Sequence, residues 1–399
     1  MNKRSATGET GNLTPRGGAT RATAGRHAVK TRPENQREAA MRRQPGTAQC
    51  RPIGLIAGLA LCLGVLTHTL ADDIEHPVAF VWAGYDNPAF YPPYVTKYGR
   101  PPTFSLYGDE EEALQKMRAG YQPDVMLPCA NVIDRWNRAG LLGTIDTALL
   151  SNWDDVIPAL KNAPGGMVDG RRVMIPTDWG LTSVIYRTDI APEYIDNESY
   201  GILWDPKYKG RLATIDSQVD GVSVAALYAG LDPFDLSLEQ IEQVRALLQE
   251  QRALLRMYTS DNTSIAQSLA SGEVVAALGW STDYANLKAE GVPVAFMNPR
   301  EGRMAWICGA AIHANSAHRQ LAHEVIDAMI SPEGGAFTIT ENGTGVANQR
   351  AFGLVSDAVL QSLGLDQDMQ NIFDSSVMQR TQRNADAIAV MFEEVKLGL

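Results

Sequence analysis

Basic side chains, cysteine, histidine and long apolar runs are all scarce in this 399-residue sequence, and each scarcity narrows what the chain can do. Lysine and arginine number 35 against 46 aspartate and glutamate, and the imbalance is uneven. Residues 1–71 carry 11 basic and 3 acidic side chains, which leaves 24 against 43, formally −19, for residues 72–399. So acidic a body argues against nucleic acid as partner and favours cations. Of the six histidines, only His76, His313, His318 and His323 lie beyond residue 71. His318 and His323 are five apart, the wrong spacing for one helical face, so no metal site is expected. The sequence has no H-E-x-x-H, no G-x-S-x-G elbow and no phosphate-cradling glycine loop. No catalytic residue and no cofactor are therefore assigned, and an enzyme is not expected.

The apolar stretch at residues 53–66 is shorter than the roughly 20 residues a membrane span needs. Arg42, Arg43 and Arg51 precede it, and Thr69-Leu70-Ala71 offers small residues at the spacing a signal peptidase reads. Residues 1–71 are therefore read as a leader with a secretory signal peptide, translation starting at Met41, and the product as periplasmic. Cys62 follows Leu-Ala-Leu, a poor fit to a lipoprotein signal. Of four cysteines, removal of the leader leaves Cys129 and Cys308. In an oxidising compartment these form one disulfide or remain separate thiols, and both readings stay open.

The length and the 45% apolar, 20% charged composition predict a soluble protein of two lobes. Strand 77–82, helix 110–119, short strand 124–127 and helix 132–139 alternate, which predicts an α/β fold with a parallel sheet. The long extended passage at 172–186 reads as a crossover between lobes. A strand at 212–215 follows, and Ser237-x-x-Gln240 is a capping box opening a helix over 238–251. Apolar runs at 274–278 and 304–312, a helix over 318–330 and a helical finish over 384–396 complete the outline.

Candidate binding residues cluster at strand ends. Trp82 and Tyr85 follow the first strand, Trp280 and Asp283 close the 274–278 run, and Trp306 and Cys308 lie inside the 304–312 run. Two indoles with a carboxylate suit an organic cation, because ring faces attract positive charge and the acid fixes its position. The same residues also read as core aromatics, with Asp283 a helix cap.

Taken in order, the motifs Trp82-x-x-Tyr85, Tyr107-Gly108-Asp109-Glu110-Glu111, Asp124-Val125-Met126-Leu127-Pro128, Ile175-Pro176-x-x-Trp179-Gly180, Trp204-x-Pro206-Lys207-Tyr208-Lys209-Gly210, Gly279-Trp280-x-x-Asp283 and Asn342-Gly343 with Asn348 resemble one family. It is that of the periplasmic polyamine-binding proteins, the spermidine/putrescine receptors of ABC importers, and the resemblance covers residues 76–399. It implies a two-lobed, type II-like periplasmic binding protein fold, each lobe a mostly parallel sheet flanked by helices and joined to the other by crossover strands. Residues 72–182 with 304–350 would form the first lobe, and 183–303 with 351–399 the second. The protein would be a monomer that delivers a small cationic ligand to an inner-membrane ABC permease. The resemblance places Trp82 and Tyr85 on the lip of the first lobe, Asp220 among the acids of the second, Trp280 and Asp283 on the amine and Trp306 as an aromatic wall. Cys129, Asn131, Trp179 and Cys308 complete the ligand-binding set it implies.

The departures bear on specificity. Diamine-binding members of the family carry Asp where this chain has Cys308, Ser at Cys129 and Tyr at Asn131. Thr344 stands in place of their Tyr after Asn-Gly, and Ala83 in place of Ser or Thr. The implied first-lobe anchor is absent, which leaves a polyamine, a singly charged amine, an amino acid-like compound and a thiamine-like cation as ligand readings. If both cysteines line the cleft, as the family positions imply, a disulfide across its wall is one possibility.

Overall fold

The computed structural model describes residues 75–259, 261–365 and 369–399. The leader, its signal peptide, the Met41 start and Ser260 lie outside the described residues. All the described residues belong to one compact unit, Leu70–Leu399.

The chain opens with β1 (Val78–Trp82), α1 (Pro92–Tyr98), β2 (Thr103–Tyr107), α2 (Glu110–Arg118), β3 (Val125–Met126) and α3 (Ile133–Arg138). Both neighbours of β1 run parallel to it. After α4 (Pro158–Lys161) and the small hairpin of β4 (Met167–Val168) and β5 (Arg171–Arg172) comes β6 (Ile175–Arg187), the longest strand at 13 residues. There follow β7 (Leu212–Ile215), α5 (Gln218–Tyr228), α6 (Leu238–Arg252), β8 (Leu255–Thr259), α7 (Asn262–Ala270), β9 (Ala276–Trp280), α8 (Ser281–Ala289), β10 (Val294–Phe296) and β11 (Arg303–Ile312). The last part holds α9 (Arg319–Met329), α10 (Pro332–Asn342), β12 (Gly345–Val346), α11 (Asp357–Leu363), α12 (Met369–Asp374), β13 (Ser376–Met378) and α13 (Ala385–Leu397).

Local chemistry explains several boundaries. Asp109 caps α2 by accepting from the Glu111 and Glu112 amides, and Glu110, Glu111 and Glu112 fill its first turn, where the helix dipole favours acids. The Ser237/Gln240 capping box is formed at the start of α6. The Ser331-Pro332 pair, which stops α9, also starts α10: Ser331 accepts from the Gly334 amide and Pro332 sits in the first turn.

The long sheet has the order β2-β1-β3-β11-β6-β9-β7-β8. In the first lobe β1, β2 and β3 are parallel and β11 joins β3 antiparallel; in the second β7, β8 and β9 are parallel and β6 joins β9 antiparallel. Two antiparallel strands, β6 and β11, carry the chain between the lobes. Ile175, Trp179 and Leu181 of β6 pack in the first-lobe core, whereas Val184, Ile185 and Tyr186 pack in the second. On β11, Met304 belongs to the second core and Ala305, Ile307, Ala310 and Ile312 to the first.

The chain after residue 350 divides between the two cores. Residues from 351 on do not all join the second lobe, because Ala351, Val355, Leu360, Leu365, Ile372 and Phe373 are buried in the first-lobe core. Only after β13, which pairs with β11, does the chain commit to the second lobe, where Ile388, Met391, Phe392 and Val395 of α13 pack against α5 and α6.

Candidate functional site

A cavity of about 720 Å³ opens where the strands of both lobes end and the following helices begin. From the first lobe, β1 supplies Trp82, whose Nε1 donates to the Leu127 carbonyl at 3.0 Å. Tyr85, three residues on, stacks on Phe90 at 5.1 Å between ring centroids. From the second lobe, β9 ends on Trp280, and the N-terminal turn of α5 presents Ser217, Gln218, Val219 and Asp220. Trp306 and Cys308 come from β11.

Strand alternation decides which side chains reach the cavity. Successive residues of a strand point to opposite faces, so Trp306 and Cys308 share the cavity side of β11 and Ile307 enters the core. Trp306 lies opposite Gly180 of β6, where a Cβ would land inside the indole ring; glycine at 180 is what lets the ring lie flat on the sheet. Cys308 lies opposite Asp178, and the register slips between Cys308 and Gly309, so that Thr177 is the extra residue of a β-bulge.

Cys129 and Cys308 are joined by a disulfide and face each other in an isolated antiparallel bridge. The link staples the loop after β3 to β11 on the cavity wall. The Cys129 amide donates to Glu110 at 2.8 Å and the Asn131 side chain donates to the same carboxylate at 3.2 Å.

The acids of this wall are of two kinds. Glu111 pairs with Arg135 at 2.6 Å, and Asp216 with Lys396 at 2.7 Å. Glu110, Asp178 and Asp220 bond no basic side chain among the described residues. Burial is the main cause that pushes all three carboxyls up, Glu110 to about 7. Asp178, 3% exposed, accepts from the Tyr85 hydroxyl at 2.7 Å and from the Thr177 hydroxyl at 2.6 Å. Asp220, 6% exposed, accepts from Ser217 Oγ at 2.7 Å and from Gln379 Nε2 at 2.9 Å.

The structure thus gathers Trp82, Tyr85, Cys129, Asn131, Asp220, Trp280, Trp306 and Cys308 around one cavity. Trp179 and Asp283 do not line it. Trp179 alternates with Asp178 and so points into the core, where Nε1 donates to the Val346 carbonyl at 3.2 Å and the ring meets Phe373 edge-on at 4.8 Å. Asp283 sits in the first turn of α8 and accepts from the Trp280 amide at 3.2 Å; burial lifts its carboxyl to about 6. It braces the turn that carries Trp280.

The missing first-lobe acid is also corrected: Glu110 and Asp178 both line the cavity. Glu110 was legible only as a first-turn acid. Asp178 could have been found from strand alternation, two residues before Gly180 on the face that carries Trp306. Among the described residues no group of three or more His, Cys, Asp or Glu could hold a metal ion. No helix among them is long and apolar enough to cross a membrane.

Two lobes, a double-strand crossover and a cleft lined by strand ends and helix N-termini define a solute-binding protein of the periplasmic type. Residues 103–351 match the model of the bacterial extracellular solute-binding proteins, and the chain belongs to that family of binding proteins rather than enzymes. It is 24% identical over 344 residues to the spermidine/putrescine-binding periplasmic protein of Escherichia coli K12, covering 85% of this chain and 95% of that one. Over 268 residues it is 27% identical to the putrescine/agmatine-binding protein of Pseudomonas aeruginosa PAO1, 63% of this chain and 72% of the other. Among solved structures, the spermidine/putrescine ABC transporter substrate-binding protein of Streptococcus pneumoniae superposes with a TM-score of 0.66 at 16% identity, covering 80% of this chain and 98% of that one.

Proposed function

We propose that the protein is the periplasmic substrate-binding component of an ABC import system and that its cleft takes a small organic cation of the polyamine class. The observation that carries this reading is the set of three carboxylates, Glu110, Asp178 and Asp220, lining one cavity with no basic side chain bonded to any of them among the described residues. A buried carboxylate without a counter-charge is costly, and an ammonium group is the partner that relieves the cost. Trp82, Trp280 and Trp306 supply ring faces for the alkyl chain and its charges, worth roughly 0.5 to 2 kcal/mol per cation contact.

The acids and indoles come from both lobes, so a bridging ligand binds the closed form better and draws the lobes together. The protein acts as a monomer and hands the ligand to an inner-membrane permease. The relatives named for spermidine, putrescine and agmatine support this ligand class.

Titration calorimetry of the purified protein with putrescine, spermidine, agmatine, thiamine and butylamine tests the reading. Binding of a polyamine in the micromolar range or tighter supports it. Binding of thiamine alone would keep the import role and overturn the polyamine assignment, and no binding of any cation would overturn the cationic ligand.

A further inference from the structure

We infer that Asp178 is the carboxylate that holds the first-lobe ammonium of a ligand carrying two, so that the site selects diamines over monoamines of equal length. The inference rests on the proposed function and adds to it the residue that sets specificity.

Position 308 of β11, on the cavity wall, carries a sulfur tied up in the disulfide with Cys129, which can neither pair with nor orient a cation. Directly across the strand pair stands Asp178, on the same sheet face and lining the same cavity. Nothing structural demands an acid there. The two donors it receives, the Tyr85 and Thr177 hydroxyls, would also be satisfied by a neutral amide, whose oxygen accepts from one while its NH2 donates to the other. Those donors fill one lone pair on each oxygen and leave the other pair to a ligand N–H. Both hydroxyls are neutral, so the charge stays uncompensated until a cation arrives. In the second lobe Asp220 is held in the same manner by Ser217 and Gln379. Asp178 and Asp220 thus put an uncompensated carboxylate on each lobe of a cavity that indoles also line, the complement of an alkyl chain with an ammonium at each end, while Glu110 is turned to the Cys129 amide and the Asn131 side chain.

The test is the ratio of affinities for putrescine and butylamine, which share a four-carbon chain and differ by one ammonium. Wild type is expected to favour putrescine by at least about 30-fold, the scale of one charge-assisted hydrogen-bonded pair. Asp178→Asn should cut putrescine affinity at least about tenfold more than butylamine affinity. Adding Cys129→Ser and Cys308→Asp to that variant puts a carboxylate on the facing strand and should restore most of the loss, which a merely structural role of Asp178 would not allow. Thermal melts verify folding, and Asp178→Ser, which keeps a hydroxyl partner for Tyr85, replaces the Asn variant if that does not fold. An unchanged ratio in the folded variant, or an equal loss of both ligands without rescue by Cys308→Asp, overturns the inference while leaving the proposed function intact. Failure of wild type to bind any amine overturns both, and is seen before any variant is made.

Discussion

Glu110 makes ligand binding depend on pH in a direction that can be worked out. Its carboxyl stands at about 7, pushed up first by burial and further by Asp109, against the opposing donors Cys129 N–H and Asn131 and the charge of Arg135. In the unliganded protein about half the molecules therefore carry the proton at pH 7. An ammonium entering the cavity stabilises the carboxylate and expels that proton. If the ligand lowers the carboxyl to about 5, an ordinary effect of an adjacent opposite charge, affinity rises about 50-fold between pH 5 and pH 8. Alkylamines titrate near 10, so the slope belongs to the protein. Calorimetry with putrescine at pH 5, 6.5 and 8, in buffers of different ionisation enthalpy, reads both the slope and the proton release. Glu110→Gln keeps one acceptor oxygen, for the Cys129 amide, and its NH2 can donate to the Asn131 carbonyl once that amide turns over, so it should flatten the contribution of this group, leaving only what Asp178 and Asp220 add. Stability of the unliganded protein moves the other way. A folded value above the ordinary 4.5 means the native state binds more protons between 4.5 and about 7, so stability falls as pH rises through that window. The upper bound is about 3 kcal/mol, less for a side chain that is partly exposed. A Glu110→Gln protein with the wild-type affinity slope would refute the assignment.

Three further outcomes are expected. Replacing both cysteines by serine opens a link spanning 179 residues and should lower unfolding stability by about 2 to 5 kcal/mol; superimposable urea melts of wild type with and without reductant would refute this. Gly180→Val forces the Trp306 indole off the sheet and should weaken cation binding about tenfold, as Trp306→Ala does, whereas wild-type affinity in the valine variant would show that the ring is not held flat by the glycine. Asp124→Ala strips the acceptor of Val78 N–H and the Ser316 hydroxyl and should destabilise by about 3 kcal/mol. Burial raises the Asp124 carboxyl, but hydrogen bonds from Ser316, Val78 and His318 outweigh it and hold it below 3.8. Its stabilisation is thus present above 3.8 and lost as pH falls through the lower native value, and the alanine variant should lack that part of the acid transition in urea melts across pH.

Much of the fold was legible because it rests on local signals. The α6 capping box and the acid-first pattern of α2 are written in a few adjacent residues, and both helices begin where those signals stand. The second role of Ser331-Pro332 was hidden because a proline stops one helix by the same geometry with which it starts the next. The destination of residues 351–373 was hidden for another reason: their apolar positions fit either core, and only the return of the chain along β13 shows where the second lobe resumes.

The site was legible by residue type and less so by orientation and charge pairing. Trp179 and Asp178 are neighbours, and the aromatic drew attention while strand alternation gives the cavity to the acid. The formal −19 of the body says that cations are welcome somewhere, but the total does not tell acids already paired, as Glu111 with Arg135 and Asp216 with Lys396, from those that are not. Glu110, Asp178 and Asp220 are removed from bulk solvent beside the cavity and held by neutral donors alone, from backbone, amide or hydroxyl. Thr177 and Ser217 stand beside the acids they hold, but Cys129, Tyr85 and Gln379 lie 19, 93 and 159 positions from theirs, which no short window of sequence contains. A carboxylate oriented by neutral groups keeps its charge for something else, and the cavity in front of these three is the place where that charge can be met.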